Sequence, residues 1–237
     1  MLKALAEYIV GLKDVKTYEI NGETFAEREL VRVLPRKCRA KMLQVNSLDA
    51  LVEMIKNEIV IMPRHLFVDV DTARHVRVFS SLDEDREREY LYEAVCDVPG
   101  FTEGYRGYET AIVELRSRFL PSDGVDYLLS LLSRVNKEQG VTTMDNGVTQ
   151  TVEARSGVSL KEMVAVKPRV TLAPYRTFLE VQQPFSEFLL RLDEDGNVGL
   201  FEADGGMWKM DAKKLIAQYL TKALEGYIAN DYVTVIR

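Results

Sequence analysis

The sequence has few of the residues that most often form catalytic or metal sites. Its 237 residues include only two cysteines, two histidines and one tryptophan. Cys38 and Cys96 lie far apart, and we expect two reduced thiols because cytosolic proteins rarely keep disulfides. No cysteine or histidine pair has the spacing of zinc ligands, and neither His65 nor His75 lies near a Gly-x-Ser-x-Gly turn. The sequence therefore predicts no catalytic residues, no metal site and no cofactor.

Long hydrophobic runs are also missing. No window approaches the roughly 18 apolar residues that a membrane-spanning helix needs. The first segment, MLKALAEYIVGLKD, contains Lys3 and Glu7 and no small-residue cleavage site. This pattern is typical of a short amphipathic helix and not of a signal peptide. We therefore expect a soluble, cytoplasmic protein with no membrane partner.

Composition and charge indicate a globular protein that is large enough to bury a hydrophobic core. Apolar residues make up 46% and charged residues 29% of the chain, and the formal net charge is −6. The negative net charge argues against a protein that binds DNA over its whole own surface. No repeat and no linker rich in proline, glycine or serine divides the chain. We expect a single compact domain over residues 1–237, with a subdomain boundary near residue 121 as the alternative.

The hydrophobic pattern predicts an α+β fold, with an antiparallel β-rich sheet core and three to four amphipathic helices. The predicted helices cover residues 2–12, 48–59, 125–135 and 211–224, and Ser47, Asp123 and Asp211 are their expected caps. A hairpin is expected over residues 18–25, around Asn21-Gly22. Alternating residues predict strands at 67–70, 75–79, 90–95, 148–154, 164–166, 170–172, 178–181, 188–192, 198–202 and 232–236. The apolar residues within 111–119 fit both the helical repeat of about 3.6 residues and the strand repeat of two residues, and we favour a strand there.

Two short clusters combine arginine with aromatic residues. The candidate ligand-binding residues in them are Tyr105, Arg106, Tyr108, Tyr175 and Arg176. Aromatic rings stack on bases and guanidinium groups bind phosphates, so this mixture suits a nucleotide or a single-stranded nucleic acid. The same residue types also stabilise loops and subunit interfaces, and the sequence leaves that alternative open.

Basic residues are densest between Arg32 and Lys41, and this run adds Arg36 and Lys37 to the candidate ligand-binding residues. Such a run could face phosphate groups. The alternative is a solvated ribbon edge whose charges discourage unwanted strand pairing.

Acidic residues offer a different kind of candidate site. Asp69 and Asp71 share one face of a predicted strand, and His75 begins the next strand. A metal-assisted hydrolase could use these three residues. A solvated outer face of an antiparallel sheet is the alternative.

Several stretches resemble, in the same order, the YfdQ-like family of phage and prophage proteins. They are Val31–Pro35, Val45–Val52, the strand pair from Phe67 to Phe79, Thr151–Gly157, Pro174–Pro184 and Phe188–Leu192. The resemblance covers about residues 28–192. It implies a phage-encoded accessory protein in the host cytoplasm, and it implies no catalytic residue.

These observations predict a non-enzymatic, self-associating phage accessory protein that acts by binding. We expect a homo-oligomer, because an exposed terminal strand such as 232–236 is a template for pairing with another chain. The first alternative is a nucleotide or single-stranded nucleic-acid binder, serving either recombination or the sequestration of a host immune nucleotide signal. The second alternative is a metal-assisted hydrolase.

Overall fold

The computed structural model describes residues 17–20, 23–26, 40–83, 86–134, 143–145, 150–156, 160–193 and 195–237. The chain divides into two compact units, residues 1–40 and 41–237. In the first unit, β1 (Thr17–Ile20) pairs antiparallel with β2 (Glu23–Ala26), which confirms the predicted hairpin. The predicted helix over residues 2–12 and the residues Arg36 and Lys37 lie outside the described residues.

The second unit contains the remaining described elements. In chain order they are β3 (Leu43–Val45), α1 (Leu48–Ile61), β4 (Leu66–Thr72), β5 (His75–Ser80), β6 (Tyr90–Val95), β7 (Gly104–Arg106), α2 (Tyr108–Ser117), α3 (Asp123–Arg134), β8 (Thr143–Asp145), β9 (Gln150–Ser156), β10 (Leu160–Val166), β11 (Arg169–Leu172), β12 (Ser186–Leu192), β13 (Val198–Glu202), α4 (Met207–Ala223), α5 (Glu225–Ala229) and β14 (Val233–Ile236). Most strand pairs are antiparallel, so the predicted α+β fold is confirmed.

A five-stranded sheet has the strand order β14-β4-β5-β6-β3. Its three central strands form an antiparallel meander, and both edge strands pair in parallel with their neighbours. Helix α1 covers its inner face because Leu48, Leu51, Ile55 and Ile59 recur at helical spacing and are all buried. Ser47 caps this helix as predicted, since its Oγ accepts a hydrogen bond from the Ala50 amide at 3.1 Å.

The described residues of the second unit form two large hydrophobic cores and a small cluster of Ala73, Trp208 and Ala212. The first lies between the five-stranded sheet and helices α1 and α4. The second lies between α2, α3 and a four-stranded sheet of order β11-β12-β13-β7. Helices α2 and α3 lie on either side of residue 121 and share the second core. The single-domain organisation over residues 1–237 stays a prediction.

The strand predicted at residues 111–119 is wrong, because the segment belongs to helix α2 and its C-terminal end. Ala111, Leu115 and Phe119 are buried in the second core at four-residue spacing. A strand would have placed Val113 on the same face as Ala111 and Leu115, but Val113 is 63% exposed. The helical period therefore matches the burial and the alternating period does not.

The strand predicted at residues 178–181 is also wrong, because the chain there is a buried loop. The Gln183 side chain supplies hydrogen bonds that a neighbouring strand would otherwise provide. Its Oε1 accepts from the amides of Arg176 at 3.0 Å and Thr177 at 3.2 Å, and its Nε2 donates to the Phe178 carbonyl at 3.0 Å. These bonds satisfy buried backbone groups without regular secondary structure.

Two helices begin earlier than the sequence predicted. The Ser122 Oγ accepts from the Val125 amide at 3.4 Å, so Ser122 replaces Asp123 as the cap of α3. At α4 the cap is Gly206 and not Asp211, and the Asp204 carboxylate accepts from the Gly206 amide at 2.9 Å and the Trp208 amide at 3.2 Å. The φ angle of Gly206 is 82°, a left-handed value that glycine adopts readily.

None of the helices among the described residues is both long enough and apolar enough to cross a lipid bilayer.

Two tyrosines of the first core donate hydrogen bonds to carboxylates. Tyr92 Oη donates to Glu58 Oε2 at 2.8 Å, and Tyr219 Oη donates to Asp49 Oδ1. Burial, together with the hydrogen bond to each carboxylate, raises the pKa of both tyrosines to about 12. Each hydroxyl therefore stays protonated in the folded state at a pH where an unfolded tyrosine, with a pKa of about 10, ionises.

We predict that stability falls as pH rises from about 10 to about 12, because the folded state binds more protons than the unfolded state in that window. Urea unfolding at about pH 9 and about pH 11 measures this loss. A Tyr92→Phe/Tyr219→Phe double variant should lose less stability over the same interval. Tyr105→Phe, at an exposed ring, is the control and should behave as the wild type. An equal loss in the double variant would contradict the assignment.

Candidate functional site

The structure brings Arg106 and Tyr175 together at one small crevice. It is lined by residues of the chain leading into β7, of α2 and its C-terminal end, and of the loop after β11, including Phe101, Arg106, Glu114, Arg118, Pro174 and Tyr175. Its volume is about 10 Å³, which holds about one water molecule. The sequence predicted both residues but gave no sign that they meet. A crevice of this size does not enclose a nucleotide.

Arg106 uses its guanidinium group for internal contacts. Its Nε donates to Glu114 Oε2 at 2.9 Å, and its Nη2 donates to the Thr102 carbonyl. The guanidinium carbon lies 5.7 Å from the centroid of the Phe101 ring. These contacts join β7 to α2, where the half-buried Tyr108 packs against the second core.

Arg176 lies inside the protein, with 1% of its surface exposed. Its Nη1 donates to Glu202 Oε1 at 2.7 Å, and its Nη2 donates to Ser186 Oγ. The guanidinium carbon lies 4.0 Å from the centroid of the Trp208 ring, whose Nε1 donates to Glu202 Oε2 at 3.2 Å. Burial lowers the pKa of Arg176 to about 10, although Glu202 opposes this change. The geometry favours the loop-stabilising alternative for Arg176.

Tyr105 has a different position, on the outer face of the four-stranded sheet. Its ring is 51% exposed and lies against Gly199, where a Cβ atom would come within 2.8 Å of the Tyr105 ring. The ring also contacts Phe201 edge to face, with centroids 5.6 Å apart. Strand register places Leu189 opposite Phe201 and Arg169 opposite Leu189 on this face. The face therefore combines the exposed Tyr105 and the half-buried Phe201 with Arg169, which lies two strands from Phe201.

The acidic candidate site lies on the outer face of the five-stranded sheet. Arg77 Nη2 lies 3.0 Å from Asp69 Oδ2 and 3.1 Å from Asp71 Oδ1. His75 contacts Asp71 Oδ2 at 3.2 Å and Glu93 Oε2 at 2.9 Å. The Arg77 guanidinium thus already neutralises the two aspartates that a metal ion would need. Within the described ranges, no three histidine, cysteine or acidic side chains form a group that could hold a metal ion.

Cys96 is buried in the first core, and burial raises the pKa of its thiol. A protonated thiol is a weak nucleophile, so Cys96 has the properties of a core residue.

The free side of strand β14 is another feature that could bind a partner. The Tyr232 carbonyl accepts a hydrogen bond from the Leu66 amide at 2.8 Å, so it is directed toward β4. Because backbone groups alternate in direction along a strand, Val233 and Val235 direct their N–H and C=O groups away from β4. No strand among the described residues pairs with that side. Tyr232 and Ile236 are each 37% exposed beside it.

We predict that Arg176→Ala lowers the free energy of unfolding by about 3 kcal/mol, because it leaves the partly buried Glu202 without its ionic partner. Arg169→Ala is the matched control, since Arg169 pairs with Glu187 at 2.8 Å on the exposed surface. It should change stability by less than about 0.5 kcal/mol. Urea denaturation measures both, and equal effects would argue against a structural role for Arg176.

The sequence and the fold were compared with known proteins in three ways. No family model matches the chain. No curated protein and no solved structure is significantly similar to it either. The resemblance to the YfdQ-like family therefore stays a prediction, and the candidate sites rest on the geometry described above.

Proposed function

We propose that this protein is a self-associating protein that acts by binding and carries out no covalent chemistry. The observation that supports it is the free side of β14, where the backbone groups of Val233 and Val235 face away from β4. Such an edge is a template for pairing with another strand unless charge, proline or a covering segment blocks it. Residues 232–236 contain neither a charged residue nor a proline.

The wider biological role is part of the same proposal. The stretches that resemble the YfdQ-like family support an accessory protein encoded by a phage or prophage and acting in the host cytoplasm. The candidate acid and base groups support a binding role, because they already contact one another: Arg77 pairs with Asp69 and Asp71, and His75 contacts Asp71 and Glu93. A metal ion at Asp69 and Asp71 would have to compete with the Arg77 guanidinium.

We predict an oligomer in solution, with a mass of at least about twice the 27.0 kDa of one chain. Size-exclusion chromatography with light scattering, over a dilution series, gives the mass at each concentration. Mass action should return dimers to monomers as the concentration falls. A single species of 27.0 kDa at every concentration would contradict self-association.

The outer face of the four-stranded sheet supports a second candidate function, the binding of a nucleotide or single-stranded nucleic acid. Tyr105 presents an exposed ring there, and Arg169 is exposed on the same face. An exposed ring can stack on a base of any sequence, and a guanidinium group can contact phosphate. Glu187 pairs with Arg169, which reduces the positive charge of this face.

We predict that any binding of short single-stranded oligonucleotides weakens several-fold in Tyr105→Ala and in Arg169→Ala, and that it falls as salt rises. Fluorescence anisotropy measures the dissociation constants. Lys214→Ala is the control, because it removes an equally exposed cation from the Lys214–Asp211 pair on α4. Equal weakening in all three variants, or no binding by the wild type, would contradict this second function.

A further inference from the structure

We infer that β14 pairs antiparallel with β14 of a second copy of this chain, around a two-fold axis at Thr234. This inference rests on the proposed self-association and adds its partner surface, its direction and its register. Three features of the strand support this arrangement: the phase of its backbone hydrogen-bonding groups, its exposed apolar side chains and its flanking charges.

The backbone groups of β14 fit only some registers. The parallel register with β4 pairs Val233 with Leu66 and Val235 with Val68, while the Tyr232 carbonyl is directed toward β4. The free N–H and C=O groups therefore belong to Val233 and Val235. Antiparallel self-pairing around Thr234 places Val233 of each copy opposite Val235 of the other. Each of these two pairs can then form both of its hydrogen bonds.

The side chains fit the same register. Val233 is buried in the first core and Val235 packs against it, so this pair lies on the inner face. Tyr232 and Ile236 alternate with them, and the register places Tyr232 of one copy opposite Ile236 of the other. Both side chains are partly exposed, and a cross-strand aromatic and β-branched pair is favourable. Pairing thus covers apolar surface on the outer face.

The flanking charges distinguish antiparallel from parallel pairing. Asp231 precedes the strand and Arg237 follows it, and the Asp231 side chain is 95% exposed. Asp231 lies in the turn before the strand, with a φ angle of 60°, and around Thr234 an antiparallel partner brings its Arg237 toward that turn at both ends of the pair. A parallel partner would place Asp231 beside Asp231 and Arg237 beside Arg237, and like charges placed opposite each other are destabilising. A two-fold pair uses the free edge of β14 in both copies, which is the isologous contact of a symmetric dimer.

Cross-linking tests the register. In the inferred pair, Thr234 faces itself in a non-hydrogen-bonded position, where Cα atoms are about 4.5 Å apart, within the range of a disulfide. In a Cys38→Ser background, Thr234→Cys should form a covalent dimer under mild oxidation. Ile236→Cys should not, because Ile236 faces Tyr232 of the other copy. Equal cross-linking of the two variants, or none by Thr234→Cys, would overturn the inferred register.

Charge reversal tests the direction. Arg237→Asp should raise the dimer dissociation constant about tenfold, because it sets two acidic residues against each other at both ends of the pair. The Asp231→Lys/Arg237→Asp double variant should restore the dissociation constant to within about threefold of the wild type. Arg116→Asp reverses an exposed charge on α2 and is the control.

The outcomes separate this inference from the proposed function. A wild-type protein that is monomeric at every concentration contradicts self-association itself. A stable oligomer that responds neither to charge reversal nor to Thr234→Cys leaves self-association in place and shows that the copies meet through another surface. Rescue by the double variant, together with the Thr234→Cys dimer, supports the inference.

Discussion

The buried contact between Arg176, Trp208 and Glu202 holds together three elements of the second unit. Arg176 belongs to the loop after β11, Trp208 lies in the first turn of α4, and Glu202 ends β13. A buried guanidinium must be paired to avoid a large desolvation cost, so these three elements keep one relative arrangement. The same loop also contributes Phe178 to the first core. It contacts the start of α1 as well, where Glu180 Oε1 accepts a hydrogen bond from the Leu48 amide at 2.6 Å.

That arrangement fixes the start of helix α4, from which the chain continues to the free edge of strand β14. Helix α4 begins beside the buried arginine, crosses the inner face of the five-stranded sheet and contributes Ile216 and Leu220 to the first core. The chain then returns through α5 to β14, which pairs with β4 on one side only among the described strands. His65 fixes the strand further, because its ring nitrogens contact the Asp231 carbonyl at 2.6 Å and Thr234 Oγ1 at 3.0 Å. The edge is therefore held in an extended form within the single chain, and a strand ordered in this way would lose less entropy on pairing.

The sequence correctly predicted the elements whose buried residues recur at a single spacing, either helical or alternating. Strands β4 to β6 and helix α1 fall close to the predicted positions because alternating or helical spacing coincides with the buried face. At α2 both periods fit, and only packing against the four-stranded sheet decides between them. The loop around Gln183 and the burial of Arg176 depend on contacts between distant residues. Arginine beside aromatic residues looks the same in a sequence whether the group contacts a ligand or a buried tryptophan.

Charge favours pairing of β14 over ligand binding at the sheet faces. Three arginines on or near the two faces have carboxylate partners, since Arg77 contacts Asp69 and Asp71, Arg169 contacts Glu187, and Arg106 contacts Glu114. A phosphate group would have to compete with each of these carboxylates, in a chain whose net charge is already −6. Backbone groups at a strand edge face no such competition, because their strength as donors and acceptors does not depend on neutralising a charge. Strand pairing at the free edge of β14 would therefore leave these ion pairs intact.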